Sequence, residues 1–162
     1  MDAAQLWKQM SPEKRTKAAE AFWAEKDALE QQIEAMALIA RQHNFRLKFV
    51  QSLPREKKVR YLATMRGMPE ALAGRLLVSY HLAYHRPMLG AFLDALGIPH
   101  EDGLITEDPA SPLTVEKVNE AAATLRGTFP AEDVDLYFGT LLSQDPETWA
   151  ALEAIGAPPH TR

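Results

Sequence analysis

The longest uninterrupted stretch of this chain lies between Pro12 and Pro54, where 41 residues contain neither glycine nor proline. Because these two residues most often end or break helices, a stretch of this length favours helix. Ser11 is a favourable N-cap, and Pro12 suits the first helical position, where a missing N–H costs nothing. We therefore expect one very long helix, or two helices end to end with a break near Asn44.

The apolar positions of this stretch recur in alternating steps of four and three. They are Leu29, Ile33, Met36, Ala40, Leu47 and Val50, with His43 in the same series. This heptad spacing is typical of helices that pair in coiled coils. Residues 1–53 are therefore predicted to form an N-terminal helical arm whose apolar face needs a partner, either the rest of the chain or a second copy. Ahead of the long helix that begins at Pro12, a short helix is predicted that acts as a latch, with Leu6, Trp7 and Met10 as its apolar residues.

Shorter helical patterns, separated by proline or glycine, follow from Pro54 onward. The predicted helices span 55–66, 69–85, 87–96, 114–126, 131–143 and 146–155. The strand pattern at 103–106 is too short to form a sheet alone. The sequence thus predicts an all-α fold, an antiparallel helical array with a long N-terminal coiled-coil-like segment. In this array residues 54–156 form a compact domain and residues 157–162 a flexible tail.

The composition excludes several classes of site. Because the chain has no cysteine, it cannot form a disulfide, a thiolate zinc site, an iron–sulfur cluster or a cysteine nucleophile. Its first residues lack the cationic start and apolar run of a secretory signal, and no stretch reaches the roughly 18 apolar residues of a membrane span. We therefore expect a cytoplasmic protein. Phosphate-binding glycine loops, nucleophile elbows and dinucleotide fingerprints are also absent, so the sequence favours a non-enzymatic protein and indicates no cofactor.

The net charge of −4 conceals a strong asymmetry along the chain. Residues 41–86 carry ten Lys/Arg and two Asp/Glu, whereas residues 87–162 carry three and thirteen. The favoured interpretation is that these two parts neutralise each other within one fold or across a dimer. The alternative is that the basic part, chiefly residues 41–66, binds an external polyanion such as nucleic acid. Three aromatic residues interleave with its cations and would stack on bases, but they also have the spacing of helix-core residues, which is the simpler explanation. They are Phe45, Phe49 and Tyr61.

The helix predicted over 69–85 is apolar on two sides, which is typical of a central helix packed all round. His81 and His85 lie four residues apart, so both imidazoles are on one side of it. A helix uses this spacing to supply two nitrogen ligands to a metal or a haem. Arg86 disfavours a cation there, and a further ligand would have to come from elsewhere, for example His100. The alternative is that His81 is a hydrogen-bonded core residue.

The end of the same helix gathers large side chains with polar tips. Tyrosine and arginine are enriched where proteins contact partners, so this end is a candidate binding surface. The alternative is a Tyr–His hydrogen-bond network that ties helices together. The long loop 98–113 brings in His100, because a single short helix separates that loop from the cluster. The predicted binding residues are Tyr80, His81, Tyr84, His85, Arg86 and His100.

Three hypotheses for function remain. The first is a non-enzymatic binding or scaffolding protein that self-associates or binds a protein partner through the heptad segment. The second is a nucleic-acid-binding protein that uses residues 41–66. The third is a metal- or haem-binding helical protein that uses His81 and His85.

Overall fold

The computed structural model describes residues 1–109 and 112–156, so the predicted tail at 157–162 lies outside the described residues. Within this part the regular secondary structure is helical apart from one pair of two-residue strands, which confirms the all-α fold class. The described residues form ten helices: α1 (Ala3–Gln9), α2 (Pro12–Ala24), α3 (Leu29–His43), α4 (Leu47–Ser52), α5 (Arg55–Ala63), α6 (Glu70–Tyr84), α7 (Arg86–Leu96), α8 (Val115–Thr128), α9 (Ala131–Gln144) and α10 (Ala150–Gly156).

Local signals account for most helix ends. Ser11 caps α2 by accepting a hydrogen bond from Lys14 N, and Thr114 caps α8 by accepting one from Lys117 N, as the sequence predicts. The short latch helix is also formed as α1, and Asp2 begins it with a capping box. Helix α7 ends at Gly97, whose φ of +68° is a conformation that glycine adopts without steric cost.

The stretch from Pro12 to Pro54 does not form one long helix. It contains the three helices α2, α3 and α4, with one break near Asn44, as the alternative prediction places it. Asn44 adopts a left-handed conformation, with a φ of +55°, and Phe45 N closes the turn by donating to Ala40 O over 2.8 Å. A second break, after Ala24, was not predicted and has neither glycine nor proline in it.

A side chain from the following helix stabilises this second break. The Gln32 amide nitrogen donates to Phe22 O and to Glu25 O, each over 2.9 Å. Phe22 O lies in the last turn of α2 and also accepts from Glu25 N over 3.3 Å, and Glu25 is the residue that ends the helix. Ser79 Oγ on α6 also donates to the Glu25 carboxylate over 2.6 Å, so contacts outside the stretch hold the chain at its turn.

The predicted heptad face is divided by these breaks. Met36, Ala40 and Val50 are buried in the protein's own core. Leu29 and Ile33, by contrast, are 64% and 43% exposed. A continuous coiled-coil seam is therefore not present, and only part of the predicted face remains open.

The buried side chains form two clusters. The first joins α1 to α6 and includes Phe22, Ile39 and Leu76, so it takes in helices on both sides of residue 53. The second joins α7 to α10 around Phe92 and Phe138. Helix α6 packs against α1, α2, α7 and α9, which places it centrally, as its two apolar sides predict.

A small hairpin follows α7. Its strands β1 (His100–Glu101) and β2 (Leu104–Ile105) pair antiparallel. Gly103 lies in its turn with a φ of +94°, and a Cβ there would come within 2.8 Å of Leu89 Cβ on α7. The hairpin therefore packs closely on α7.

None of the helices in the described residues is both long enough and apolar enough to cross a membrane.

Candidate functional site

Four of the six predicted binding residues form a ring cluster at the carboxyl end of α6. The ring centroids of Tyr80 and His85 are 5.2 Å apart, and those of Tyr80 and Tyr84 are 5.6 Å apart. His81 lies 5.6 Å from His85 and 5.5 Å from Tyr137 of α9. The spacing of four and five residues along one helix accounts for the contacts within α6.

His81 is the most buried member, with 1% of its surface exposed. Its Nε2 lies 3.1 Å from Thr140 Oγ1, and that hydroxyl donates to Leu136 O over 2.8 Å. Since the Thr140 proton is thus engaged, the histidine must donate from Nε2, and Nδ1 carries the free lone pair. Burial, followed by the nearby His85, lowers the pKa of His81 to about 3. His81 is therefore a neutral, hydrogen-bonded core histidine.

His85 is less deeply placed. Its Nε2 lies 3.9 Å from Asp133 Oδ1 and has no hydrogen-bond partner among the described residues. Burial lowers the pKa of His85 and outweighs the opposing effect of Asp133, while Lys14 and Lys17 lower it further. Burial likewise raises the pKa of the Tyr137 hydroxyl. Both histidines of the cluster are therefore neutral at neutral pH.

The predicted Tyr–His hydrogen-bond network is not formed in the described part of the chain. The rings of the cluster pack by faces and edges, and the one side-chain hydrogen bond from His81 goes to Thr140. Thr140 lies 59 residues from His81 along the chain, so sequence spacing held no signal for it. What ties α6 to α9 here is therefore one hydrogen bond together with ring packing.

Of the other two predicted residues, Arg86 begins α7 and His100 belongs to the hairpin. Arg86 Nη1 donates to Asp102 O over 2.9 Å, so the end of α6 does meet the loop, as predicted. His100 makes its own local contacts: Nε2 lies 2.7 Å from Asp94 Oδ1, and Nδ1 accepts from Gly103 N over 3.0 Å. Both nitrogens of His100 are thus occupied within the hairpin and α7.

The described residues contain no group of three or more His, Asp or Glu side chains arranged to hold a metal ion. His81 and His85 supply two imidazoles, and a structural site generally needs about four ligands. The metal or haem interpretation therefore gains no support from the geometry and stays a prediction.

A second candidate surface lies on α3, α4 and α5. The eight basic residues of 41–66 form no salt bridge with any described residue. Seven of them are exposed, and the eighth, Lys58, is half-buried over the Trp23 ring. The seven are Arg41, Arg46, Lys48, Arg55, Lys57, Arg60 and Arg66. Direct pairing of this region with the acidic part within one chain, the favoured interpretation of the sequence, is therefore not supported.

Acidic side chains elsewhere take their partners from outside this region. Asp135 pairs with Arg126 over 2.7 Å, and Glu132 with Lys14. Near the basic residues, Glu20 and Glu56 line a groove of about 540 Å³ between α2 and α5 together with Arg55 and Arg60. The groove therefore carries charges of both signs, whereas α4 contains a lysine and no acidic residue.

Four aromatic rings lie together beside these cations. His43 is 5.5 Å from Phe45 in a nearly parallel stack and 4.6 Å from Tyr61. Phe45 contacts Phe49 edge-on at 4.9 Å. His43 and Phe49 are exposed, whereas Phe45 and Tyr61 are half-buried. We call this set of rings, with Arg46, Lys48 and Lys57 around it, the aromatic–cationic surface.

The largely apolar cleft between α1 and α9 was not indicated by the sequence. It has a volume of about 440 Å³ and is lined by Leu6, Met10, Leu136 and Leu142, among others. Gly139 admits Leu6 at this place, since a Cβ there would lie 3.0 Å from the leucine methyl carbon. None of the six predicted binding residues lines this cleft.

Comparisons of the chain with protein-family models, with curated proteins and with solved structures found no match.

Proposed function

We propose that this protein is a non-enzymatic binding protein and that its ligand is a nucleic acid, held by the cations of α3, α4 and α5. The observation that carries the proposal is the set of seven exposed basic side chains between residues 41 and 66, none of which forms a salt bridge with a described residue. Cations that pair with nothing in their own chain repel one another, and a bound polyanion neutralises them. Binding also releases the counterions that surround the polyanion, which favours the complex.

The proposal reverses the order that the sequence favours, in which a protein partner comes first and nucleic acid second. Exposed lysines and arginines alone are common on protein surfaces. Here, however, they occur with one acidic residue, Glu56, in the same segment, and the acidic side chains of α9 pair elsewhere. The local charge is thus left open to an external partner. The proposal also keeps the predicted cytoplasmic location, because nucleic acids are intracellular ligands.

The test is fluorescence anisotropy with labelled oligonucleotides at low and moderate salt. For about four phosphate contacts, affinity for a single strand should fall roughly 50-fold between about 50 mM and about 200 mM salt. The double charge reversal Lys48→Glu with Lys57→Glu should weaken binding at low salt and flatten the salt dependence. No binding to any oligonucleotide at low salt would rule the proposal out.

A matched control is available on other helices. Lys8→Glu with Lys117→Glu makes the same change in net charge at two exposed lysines outside the basic region. Binding should survive in this variant with only the small loss caused by a lower overall charge. Equal losses in the two double variants would mean that the net charge matters and the surface does not.

Self-association is a second candidate, favoured by a different observation. Leu29 and Ile33 are large, exposed and one turn apart on α3, where the predicted heptad face is not used by the core. We propose that a second copy of the chain covers this stripe through helix pairing, the coiled-coil-like contact that the heptad spacing predicts. The two functions are compatible, since Leu29 and Ile33 lie in the first half of α3, whereas Arg41 lies near its other end, toward α4.

A further inference from the structure

We propose that the aromatic–cationic surface selects single-stranded nucleic acid, with bases stacked on its exposed rings and phosphates held by the surrounding lysines and arginine. This inference rests on the proposed function and adds to it the form of the ligand. It depends on the rings, whereas the proposed function depends on the charges alone.

The rings offer open faces on a fixed base. Phe49 is 48% exposed, and its ring plane makes an angle of 66° with that of Phe45, so the two rings do not stack on each other and much of Phe49 stays open to solvent. His43 is also exposed, while Tyr61 beneath it is half-buried and 4.6 Å away. Exposed aromatic faces are the platforms on which unpaired bases stack, and every base has a face to offer.

The backbone under the rings is held in place. Asn44 turns the chain in a left-handed conformation, and Phe45 N donates to Ala40 O over 2.8 Å. On α4, Ser52 Oγ donates to Phe49 O over 2.7 Å. Because Phe45 and Tyr61 also pack against the first core cluster, the platform exists before any ligand binds. Little ordering entropy is then lost on binding.

Cations flank the rings along the chain. Arg46 follows Phe45 directly, and Lys48 precedes Phe49. On α5, Lys57 lies one turn before Tyr61 and so shares its side of the helix. Rings interleaved with exposed cations match a strand in which bases and phosphates alternate.

A duplex would use only half of this arrangement. In a duplex each base face is covered by its neighbours, so the rings have nothing to stack on, and only the phosphates remain to be bound. We therefore expect the cations to bind both forms and the rings to add affinity for the single strand alone.

An anionic membrane is the competing ligand for a surface that combines cations with exposed apolar groups. A membrane-binding helix needs a broad apolar face that enters the lipid. Here α4 has six residues, and two of the rings beside it are fixed in the core cluster and unable to insert. The geometry therefore favours nucleic acid over lipid.

The experiment compares Phe49 variants on two oligonucleotides of about 12 nucleotides, a length within the range of single-strand sites. One is unstructured and single-stranded, in DNA and RNA versions, and the other is the same sequence in a duplex. Phe49→Leu keeps an apolar side chain but removes the aromatic face. It should weaken binding to the single strand about fivefold or more and leave duplex binding within about twofold.

Two further variants exclude an effect on folding. Phe49→Trp retains an aromatic face and should restore single-strand affinity, and the thermal midpoint of each variant shows whether it is folded. Leu104→Ala changes a side chain of similar exposure, 49%, on the hairpin and should leave both affinities unchanged.

Each outcome decides between the two proposals. If Phe49→Leu weakens single-strand and duplex binding equally, or neither, the stacking inference is wrong, while the Lys48→Glu and Lys57→Glu variant still tests the proposed function. If no oligonucleotide binds at low salt, both fail. If the protein instead co-sediments with vesicles of phosphatidylcholine and phosphatidylserine and loses this with Phe49→Leu, the surface binds lipid.

Discussion

His81 shows how one buried polar residue fixes the contact between two helices. Its ring is enclosed by α6 and α9 and donates to Thr140 from Nε2. The opposite nitrogen, Nδ1, is buried without a partner among the described residues. A protonated imidazole would need a second acceptor that the site does not supply, so burial keeps the ring neutral.

This neutrality makes the stability depend on pH. The folded-state pKa of His81 is lowered to about 3, while in the unfolded chain the group titrates near 6.5. Below pH 6.5 the unfolded state therefore binds a proton that the folded state does not. The free energy of unfolding thus decreases as the pH is lowered. Between pH 7 and pH 5 this one residue should remove about 2 kcal/mol from the free energy of unfolding.

The variant His81→Gln separates this effect from the titration of the carboxylates, which both proteins share. Glutamine can still donate to Thr140 but carries no titrating ring, so it should cost about 1–2 kcal/mol at pH 7. That cost should disappear at pH 5, where the wild type has lost its advantage. Urea unfolding at both pH values measures the difference, and a cost independent of pH would contradict the assignment of a neutral His81.

The sequence predicted part of this site for a definite physical reason. Spacing along one helix places Tyr80, His81, Tyr84 and His85 together without reference to the rest of the fold, and the structure has them in contact. The partner Thr140 depends on how α9 packs against α6, which no local pattern encodes. For the same reason the sequence could not show that Glu132 and Asp135 pair with Lys14 and Arg126 and not with the cations of 41–66.

At the scale of elements, the break between α2 and α3 is the main departure from the predicted helices. The rules for helix ends look for glycine, proline or a capping residue next to the end. Here the cap comes from Gln32, a full turn inside the following helix, and its amide donates to one carbonyl of α2 and to that of Glu25, which ends α2. A glutamine in a helix carries no such signal in sequence, whereas Asn44 does, because its residue type tolerates a left-handed conformation.

The neighbouring Gln31 allows a controlled test of this cap. Gln32→Ala removes both side-chain hydrogen bonds, to Phe22 O and to Glu25 O, and should lower the free energy of unfolding by about 1–2 kcal/mol. Gln31→Ala makes the same chemical change one position earlier, at another half-buried glutamine, and should cost less than about 0.5 kcal/mol. Urea unfolding compares the two variants. Equal losses would show that helix propensity, and not the cap, determines the effect.

At the scale of the whole molecule, charge and apolar surface are distributed unevenly. The second core cluster, around Phe92 and Phe138, belongs to the acidic part, in which Glu132 and Asp135 of α9 pair with α2 and α8. The first cluster carries the open cations and the open stripe of α3. Both proposed contacts therefore lie on the N-terminal half, and ligand binding and self-association would be felt by the same set of helices.

Self-association through α3 should be weak, and this follows from the size of the stripe. Stable interfaces bury about 1,000 Å² or more, and the two aliphatic side chains of α3 supply a small part of that. We expect an average mass that rises with concentration in sedimentation equilibrium. Because each copy covers Leu29 and Ile33, replacing both by lysine should lose at least about 2 kcal/mol of association, or about 30-fold in the dissociation constant. Leu104→Lys with Val115→Lys, at 49% and 56% exposure, should leave the association unchanged. A protein that stays monomeric at every concentration, or a control that dissociates equally, would leave the α3 stripe without this role, because a second copy gains free energy only where it removes these side chains from water.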